Sequence, residues 1–334
     1  MKRIGNLYHR IADPDNLRIA FRKAVRGKCD RDEVIRFRDS FDDNLAKLHG
    51  QLVCHDVSVG NYRFFTINDP KKRRICAASF SERVLHHAIM NICEPVLDRY
   101  SIFDSYACRA GKGQRAAVNR ARAFAGNFAW YLKLDICKYF DSITHEVLLK
   151  LFSRRFKDND LLVMFGQILN TYHTSLGRGL PIGNLVSQHF ANFYLGLFDH
   201  WIKEERKVKG YLRYMDDFVL FNDSREALKG DLALVKSFLD EELKLELKDN
   251  IQINRTACGL PFLGMRIYPI VVKLSARSKT RFVRKLRDYE MRTVRGEMES
   301  QELAERVSSL VEFTRIADSK GFRREVINRN GVLS

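Results

Sequence analysis

Two periodicities run through this chain, one helical and one strand-like, and their order predicts its elements. Residues 1–50 set apolar positions at helical spacing among alternating basic and acidic ones, which predicts one or two helices. "NYRFFTINDPKKRRICAASF" (61–80) then reads as two strands around an Asn-Asp-Pro turn, with four consecutive basic residues on the returning arm. Ser81 can cap a following helix with Val84, Leu85, Ala88, Ile89 and Ile92 on its apolar face and His86 and His87 on its surface; Pro95 kinks or stops it. "WYLKLD" (130–135) alternates as a strand ending in Asp135, and "DSITHEVLLKLF" turns helical. After the loop "GRGLPIG" (177–183), the spacing of Val186, Phe190, Phe193, Leu197 and Trp201 predicts one long amphipathic helix. "LRYMDDFVLF" (212–221) reads as two buried strands meeting at a tight turn. Leu228, Leu232, Val235 and Leu239 mark another helix, and "KLELK", "IQIN", "PFLGMRIY" and "VVKLS" read as short strands before a helical tail. The order predicts an α+β architecture.

Charge adds a partner class. A formal net charge of +17 on 334 residues attracts a polyanion, most economically nucleic acid. Two stretches concentrate it: "RAGKGQRAAVNRAR" (109–122) has five basic residues and no acid, and 273–287 has seven and no acid. The 45% hydrophobic content supports a sizeable core, without any 18-residue apolar run or signal-peptide pattern, so a cytoplasmic location without a membrane is expected. Seven scattered cysteines without a C-x-x-C pair suit reduced thiols, and the nine histidines show no ligand spacing.

The candidate chemistry lies in the adjacent Asp216 and Asp217. Like charges between apolar runs repel and are costly to desolvate, so they mark either a solvated turn or a site where carboxylates converge on a divalent cation. Asp135 also ends a predicted strand, and neighbouring strands of one sheet could bring the three together. Such a group could hold two Mg²⁺ ions for an in-line phosphoryl transfer.

Several motifs in order resemble the reverse transcriptase family over about residues 60–275. "YMDD" (214–217) is similar to its metal-binding turn, "LDICKYFDSI" (134–143) to its first aspartate motif, and "GLPIGNLVSQHFANFYL" (179–195) to its nucleotide-pocket loop and helix. "KKRRI" (71–75) and "SYACRAGKG" (105–113) are similar to fingers motifs, and "FLGMRI" (262–267) to the primer grip. The resemblance implies a right-hand polymerase with fingers and an N-terminal extension (1–129), a palm (130–270, with part of the fingers at about 144–178) and a thumb (271–334). No RNase H, integrase or endonuclease segment is expected in the remaining length. It implies Asp135, Asp216 and Asp217 as ligands of two Mg²⁺ ions, with Mn²⁺ a possible substitute. It further implies Arg73 on the incoming triphosphate, assisted by Lys71 or Arg74. Phe140 falls at the steric gate against a ribose 2′-hydroxyl, next to the equally aromatic Tyr139. Ile182, Gly183 and Gln188 belong to the nucleotide pocket, and Phe262, Leu263 and Gly264 to the primer grip.

Two positions depart from the common family pattern: Ile182 replaces a Gln before Gly183, and Gln188 follows Ser187 in place of a Pro. I-G-x-x-x-S-Q resembles the reverse transcriptases of diversity-generating retroelements, which copy a template-repeat RNA into cDNA with errors at adenines. That resemblance implies deoxynucleoside triphosphates, template RNA and a small basic accessory variability protein oligomer as partners. Ile251 also stands where many relatives carry a Lys, with Lys248 nearby. Other bacterial reverse transcriptases, from group II introns, retrons or defence systems, and a catalytically silent RNA-binding relative are the alternatives.

Overall fold

The computed structural model describes residues 3–68 and 72–330. They form two compact units, one of residues up to Cys108 with 136–206 and 234–248, the other of 109–135, 207–233 and 249 onward.

The first unit opens with four helices, Tyr8–Ala12, Pro14–Val25, Asp32–Asp39 and Phe41–Val53, more than the one or two expected. Breaks in the periodicity explain the excess. Asp13 caps a new start by accepting from Asp15 N at 2.8 Å, with Pro14 at the first helical position, and Ser40 leaves the helical region before Phe41. Strands β1 (Tyr62–Ile67) and β2 (Arg73–Ala78) form the predicted hairpin, with Tyr62 opposite Ala78 and Ile67 opposite Arg73. Asp69, Pro70 and Lys71 lie outside the described residues.

The helix Phe80–Tyr100 follows, and here two expectations are corrected, the cap and the place of His86. Its cap is Ser79, which accepts from Glu82 N, whereas Ser81 lies within the first turn. Of the kink or stop expected at Pro95, the stop does not occur, since the helix continues five residues beyond it. His86 is buried at 1% exposure, because its side of the helix faces the core. Further along, Phe152 packs its ring on Phe165, Phe190 and Phe193 at 4.7, 4.6 and 5.1 Å, a cluster that ties together the helices on either side of loop 177–183. The predicted helix over 186–201 is present in pieces, Leu185–Tyr194 and Gly196–His200 with a π turn at Trp201–Glu205. Segment 244–248 is no strand: left-handed Lys244 (φ 53°) follows the helix Arg225–Leu243, and Leu247 makes only an isolated bridge to Ile136.

The second unit holds an antiparallel sheet of β3 (Trp130–Asp135), β4 (Gly210–Tyr214), β5 (Asp217–Asn222) and β6 (Gln252–Arg255), in the order β4-β5-β3-β6. Tyr131, Leu132, Leu134, Leu212 and Phe218 to Phe221 are buried in it, so both faces of these strands are covered and the pairing, not an in-out alternation, sets their register. A smaller sheet of β7 (Leu260–Phe262), β8 (Met265–Ile267) and β9 (Val272–Leu274) follows. Helices Ala276–Val294, Ser300–Thr314 and Lys320–Asn330 complete the unit, around Phe282, Leu286 and Val326. Among the described residues no helix is long and apolar enough to cross a membrane.

Candidate active site

The register of the larger sheet gathers the acidic residues. β3 pairs with β5 so that Asp135 stands opposite Asp217, and β4 pairs with β5 so that Tyr214 stands opposite Asp217. Met215 and Asp216 are left as a two-residue turn. Residues directly opposite one another share a face of a sheet, so Asp135, Asp217 and Tyr214 share one face. Lys133, two positions before Asp135, shares it too.

That arrangement answers the repulsion problem. Lys133 Nζ lies 3.0 Å from Asp217 Oδ1, an oxygen that has no hydrogen-bond partner otherwise. Burial pushes the Asp217 carboxyl up to about 6; Lys133 pulls it down, and Asp135 and Asp216 push it further up. Asp217 therefore feels the charge of both other carboxylates. Met215 adopts φ 57°, which costs a non-glycine residue about 1–2 kcal/mol. Arg213, 1% exposed, donates from Nη1 to the Met215 carbonyl at 3.0 Å.

Among the described residues no three His, Cys, Asp or Glu side chains surround one metal position. The donor chemistry still fits a hard divalent ion. Mg²⁺ prefers oxygen ligands and is commonly held by one or two carboxylates, with water and substrate phosphates completing its shell.

The first unit carries Ile182, Gly183 and Gln188, the residues expected in a nucleotide pocket. Ile182 is half-buried, and its carbonyl accepts from Cys76 N of β2 at 2.8 Å. Gly183 adopts φ 117°, and a Cβ there would lie 2.8 Å from Ile75 Cγ2 and 3.0 Å from the Cys76 carbonyl oxygen. Loop and hairpin thus touch backbone to backbone where only glycine fits. Gln188 is exposed near the start of its helix, with Oε1 3.7 Å from Cys108 Sγ. Tyr139 is buried with its hydroxyl donating to the Ala191 carbonyl, whereas Phe140 stays half-exposed and its carbonyl accepts from Leu180 N at 2.8 Å. The two adjacent aromatics therefore have different surroundings. Arg73 is exposed on the hairpin face that carries Phe65 and Ile75, while Arg74 stacks on Phe64 at 4.2 Å.

Sequence reasoning missed the cations around this hairpin. A cavity beside Gly183 is lined by Lys28, Arg31, Arg63 and Arg83 as well as Phe65. Burial, with Arg83 and Arg31 nearby, pulls the Lys28 ammonium down. The readable signal was the basic content of residues 22–31, which was absorbed into a general helical pattern.

Phe262, Leu263 and Gly264, expected in a primer grip, lie in the second unit. Phe262 is buried at the end of β7, and Leu263 (φ 47°) and Gly264 (φ 78°) make the turn into β8. Gln114 Nε2 donates to the Leu263 carbonyl at 2.7 Å, and the Gly264 carbonyl accepts from Ser278 Oγ at 2.7 Å and Ser275 N at 3.1 Å.

Residues 67–267, more than half of the chain, match the family model described as reverse transcriptase (RNA-dependent DNA polymerase). The chain belongs to the reverse transcriptase family. It is 22% identical over 177 residues to the putative COX1/OXI3 intron 1 protein of Saccharomyces cerevisiae, covering 48% of this chain and 21% of that protein. With the protein YkfC of Escherichia coli it shares 22% identity over 274 residues, covering 65% of this chain and 70% of YkfC. The chain thus spans about a fifth of the yeast relative's length. Apo telomerase from Candida tropicalis is similar in fold, with a TM-score of 0.50 at 11% identity over 87% of this chain and 64% of that one. The architecture is accordingly the right-hand polymerase fold. Reverse transcriptases work with divalent metal ions, in keeping with the carboxylates of β3 and the β4–β5 turn.

Proposed function

We propose that the protein is an RNA-directed DNA polymerase of the diversity-generating type, copying a template-repeat RNA into cDNA with low fidelity at adenines. The observation that carries the polymerase reading is the register of the sheet, with Asp135 opposite Asp217 and Asp216 in the adjoining turn. In this reading the three carboxylates hold two Mg²⁺ ions, replaceable by Mn²⁺. When bound, the ions supply positive charge at the attacking 3′-hydroxyl and the leaving pyrophosphate. Arg73 offers guanidinium donors to the triphosphate, and the half-exposed Phe140 rejects a ribose 2′-hydroxyl. Phe262, Leu263 and Gly264 steady the primer strand. The fingers comprise 1–129 and about 144–178, the palm the rest of 130–270, and the thumb 271–334, whose basic helix Ala276–Val294 contacts the template–primer backbone. The protein acts in the cytoplasm with a small basic accessory variability protein oligomer.

The subgroup rests on Ile182 and Gln188. An Ile cannot donate the amide hydrogen bond of a Gln, worth roughly 0.5–1.5 kcal/mol, so discrimination relaxes by about two- to tenfold. On one RNA template, Ile182→Gln should lower misincorporation opposite adenine more than opposite other bases. An unchanged adenine error frequency would remove Ile182 from the mechanism. A second reading, an intron-associated reverse transcriptase, is favoured by the similarity to the yeast intron protein. A neighbouring pair of near-identical repeats differing mainly at adenines would decide for the diversity-generating type.

A further inference from the structure

Lys133 and Arg213 look like ordinary strand cations in the sequence, yet both converge on the aspartate turn. Lys133 stands on β3 opposite Val219 and Gln252, and the period-two alternation puts it on the face of Asp135 and Asp217. Arg213 stands opposite Phe218, which the same alternation assigns to the other face. It is nevertheless among the largest fully buried side chains of the protein. A guanidinium is rarely buried so completely without a polar task, and its Nη1 reaches the carbonyl of Met215 at 3.0 Å. Met215 is the residue whose backbone is left-handed, at φ 57°. The next residue is Asp216.

We infer that Lys133 and Arg213 are positioning residues that brace the aspartate turn from the two faces of the sheet, Lys133 by holding the Asp217 carboxylate and Arg213 by holding the strained Met215 carbonyl. Each compensates a cost of placing adjacent carboxylates at the turn and at the start of β5. Lys133 offsets like-charge repulsion, with its Nζ 3.0 Å from an oxygen that is otherwise without a hydrogen-bond partner. Arg213 fixes a backbone conformation that a β4–β5 hairpin needs but Met disfavours. The strand positions nearest Arg213 on its face, Tyr211, Leu134, Phe218 and Leu220, are buried. Replacing Arg213 by an apolar residue leaves the Met215 carbonyl without this donor. The brace rests on the proposed polymerase reading, because its purpose is to aim carboxylates at an ion and a reacting phosphate.

The role separates from mere packing through Met215. Glycine adopts a positive φ without strain, so Met215→Gly should relieve the need for Arg213. Primer extension should be measured for wild type, Arg213→Met and the Arg213→Met/Met215→Gly double variant, with thermal unfolding in parallel. The brace predicts that Arg213→Met lowers kcat roughly tenfold or more while KM for template–primer stays within about twofold, and that the double variant regains much of the loss. A double variant no better than Arg213→Met, or an Arg213→Met protein with wild-type kcat, would overturn the role of Arg213. Lys133→Met supplies an arm that needs no turnover: Mn²⁺ binding to the free protein, followed by electron paramagnetic resonance. Removing a cation from beside the carboxylates should tighten Mn²⁺ binding by roughly three- to tenfold while kcat falls. Loss of both together would mark Lys133 as a structural residue and overturn its part in the brace. Failure of the polymerase reading is distinguishable, since it would appear as a folded wild type unable to extend any primer.

Discussion

The second unit contains two tight two-residue turns that share a left-handed first residue and differ in how they are held. Tyr214–Asp217 joins β4 to β5 and Phe262–Met265 joins β7 to β8, each through two residues and each with a bulky residue in the left-handed region, Met215 or Leu263. The aspartate turn is held by cations, Lys133 on Asp217 and Arg213 on the Met215 carbonyl. Gln114, Ser275 and Ser278 hold the other through neutral donors. The difference follows from what each displays. Carboxylates need opposing charge to stay together, whereas a turn displaying only backbone needs its carbonyls satisfied.

The largest effect expected in the neutral turn comes from Gly264. Its φ is 78°, and a Cβ would lie 2.9 Å from Ser278 Oγ and 3.1 Å from Phe313 Cζ. Gly264→Ala should therefore destabilise the protein by about 1–3 kcal/mol, read by urea unfolding, and a loss under 0.5 kcal/mol would show the turn to be pliable.

Acid provides an intermediate effect, away from both turns. His86 has neither ring nitrogen hydrogen-bonded, and Glu82 Oε1 is 3.6 Å from its Nε2. Burial, with His87 nearby, pulls the imidazole down from 6.5 to about 3. The unfolded chain thus takes a proton that the folded chain refuses. Stability should be full above pH 6.5 and fall as pH drops toward 3, by about 1–2 kcal/mol at pH 5. His86→Leu should flatten that slope, and an equally steep slope in the variant would assign the acid sensitivity elsewhere.

The smallest effect belongs to Gln114. Gln114→Leu removes one neutral bond to the Leu263 carbonyl, worth about 0.5–1.5 kcal/mol, so template–primer affinity should fall by roughly two- to tenfold with metal dependence unchanged. A shift in Mn²⁺ affinity in that variant would erase the contrast between the turns.

Much of this was legible in the chain because strand-forming runs and the turns between them can be read locally. "LRYMDDFVLF" contains both strands and the turn, and Asp135 was readable as the end of a buried strand. Lys133 was readable in part, since it shares parity with Asp135; its partner depended on the β3–β5 register, which no local pattern supplies. Arg213 was hidden, because an arginine inside a buried strand looks like a break in the alternation until its acceptor is seen. Gly183 was legible as a loop glycine, while the reason for it lies 107 residues away at Cys76. At the helix cap, Ser79 and Ser81 offer the same chemistry two residues apart, and the S-x-x-E spacing of Ser79 to Glu82 was the signal that distinguishes them. In "KLELK" the alternation was present, but left-handed Lys244 leaves only a single bridge.

The central claim is that the carboxylates of the β3 end and the β4–β5 turn act as one unit in making DNA on RNA. Single-turnover extension of a DNA primer on an RNA template, by wild type and by Asp216→Asn, tests it most directly when template–primer binding is measured on the same samples. Extension by the wild type should fall by about a thousandfold in Asp216→Asn, with binding retained within about twofold. Near-normal extension by the folded variant would contradict the account.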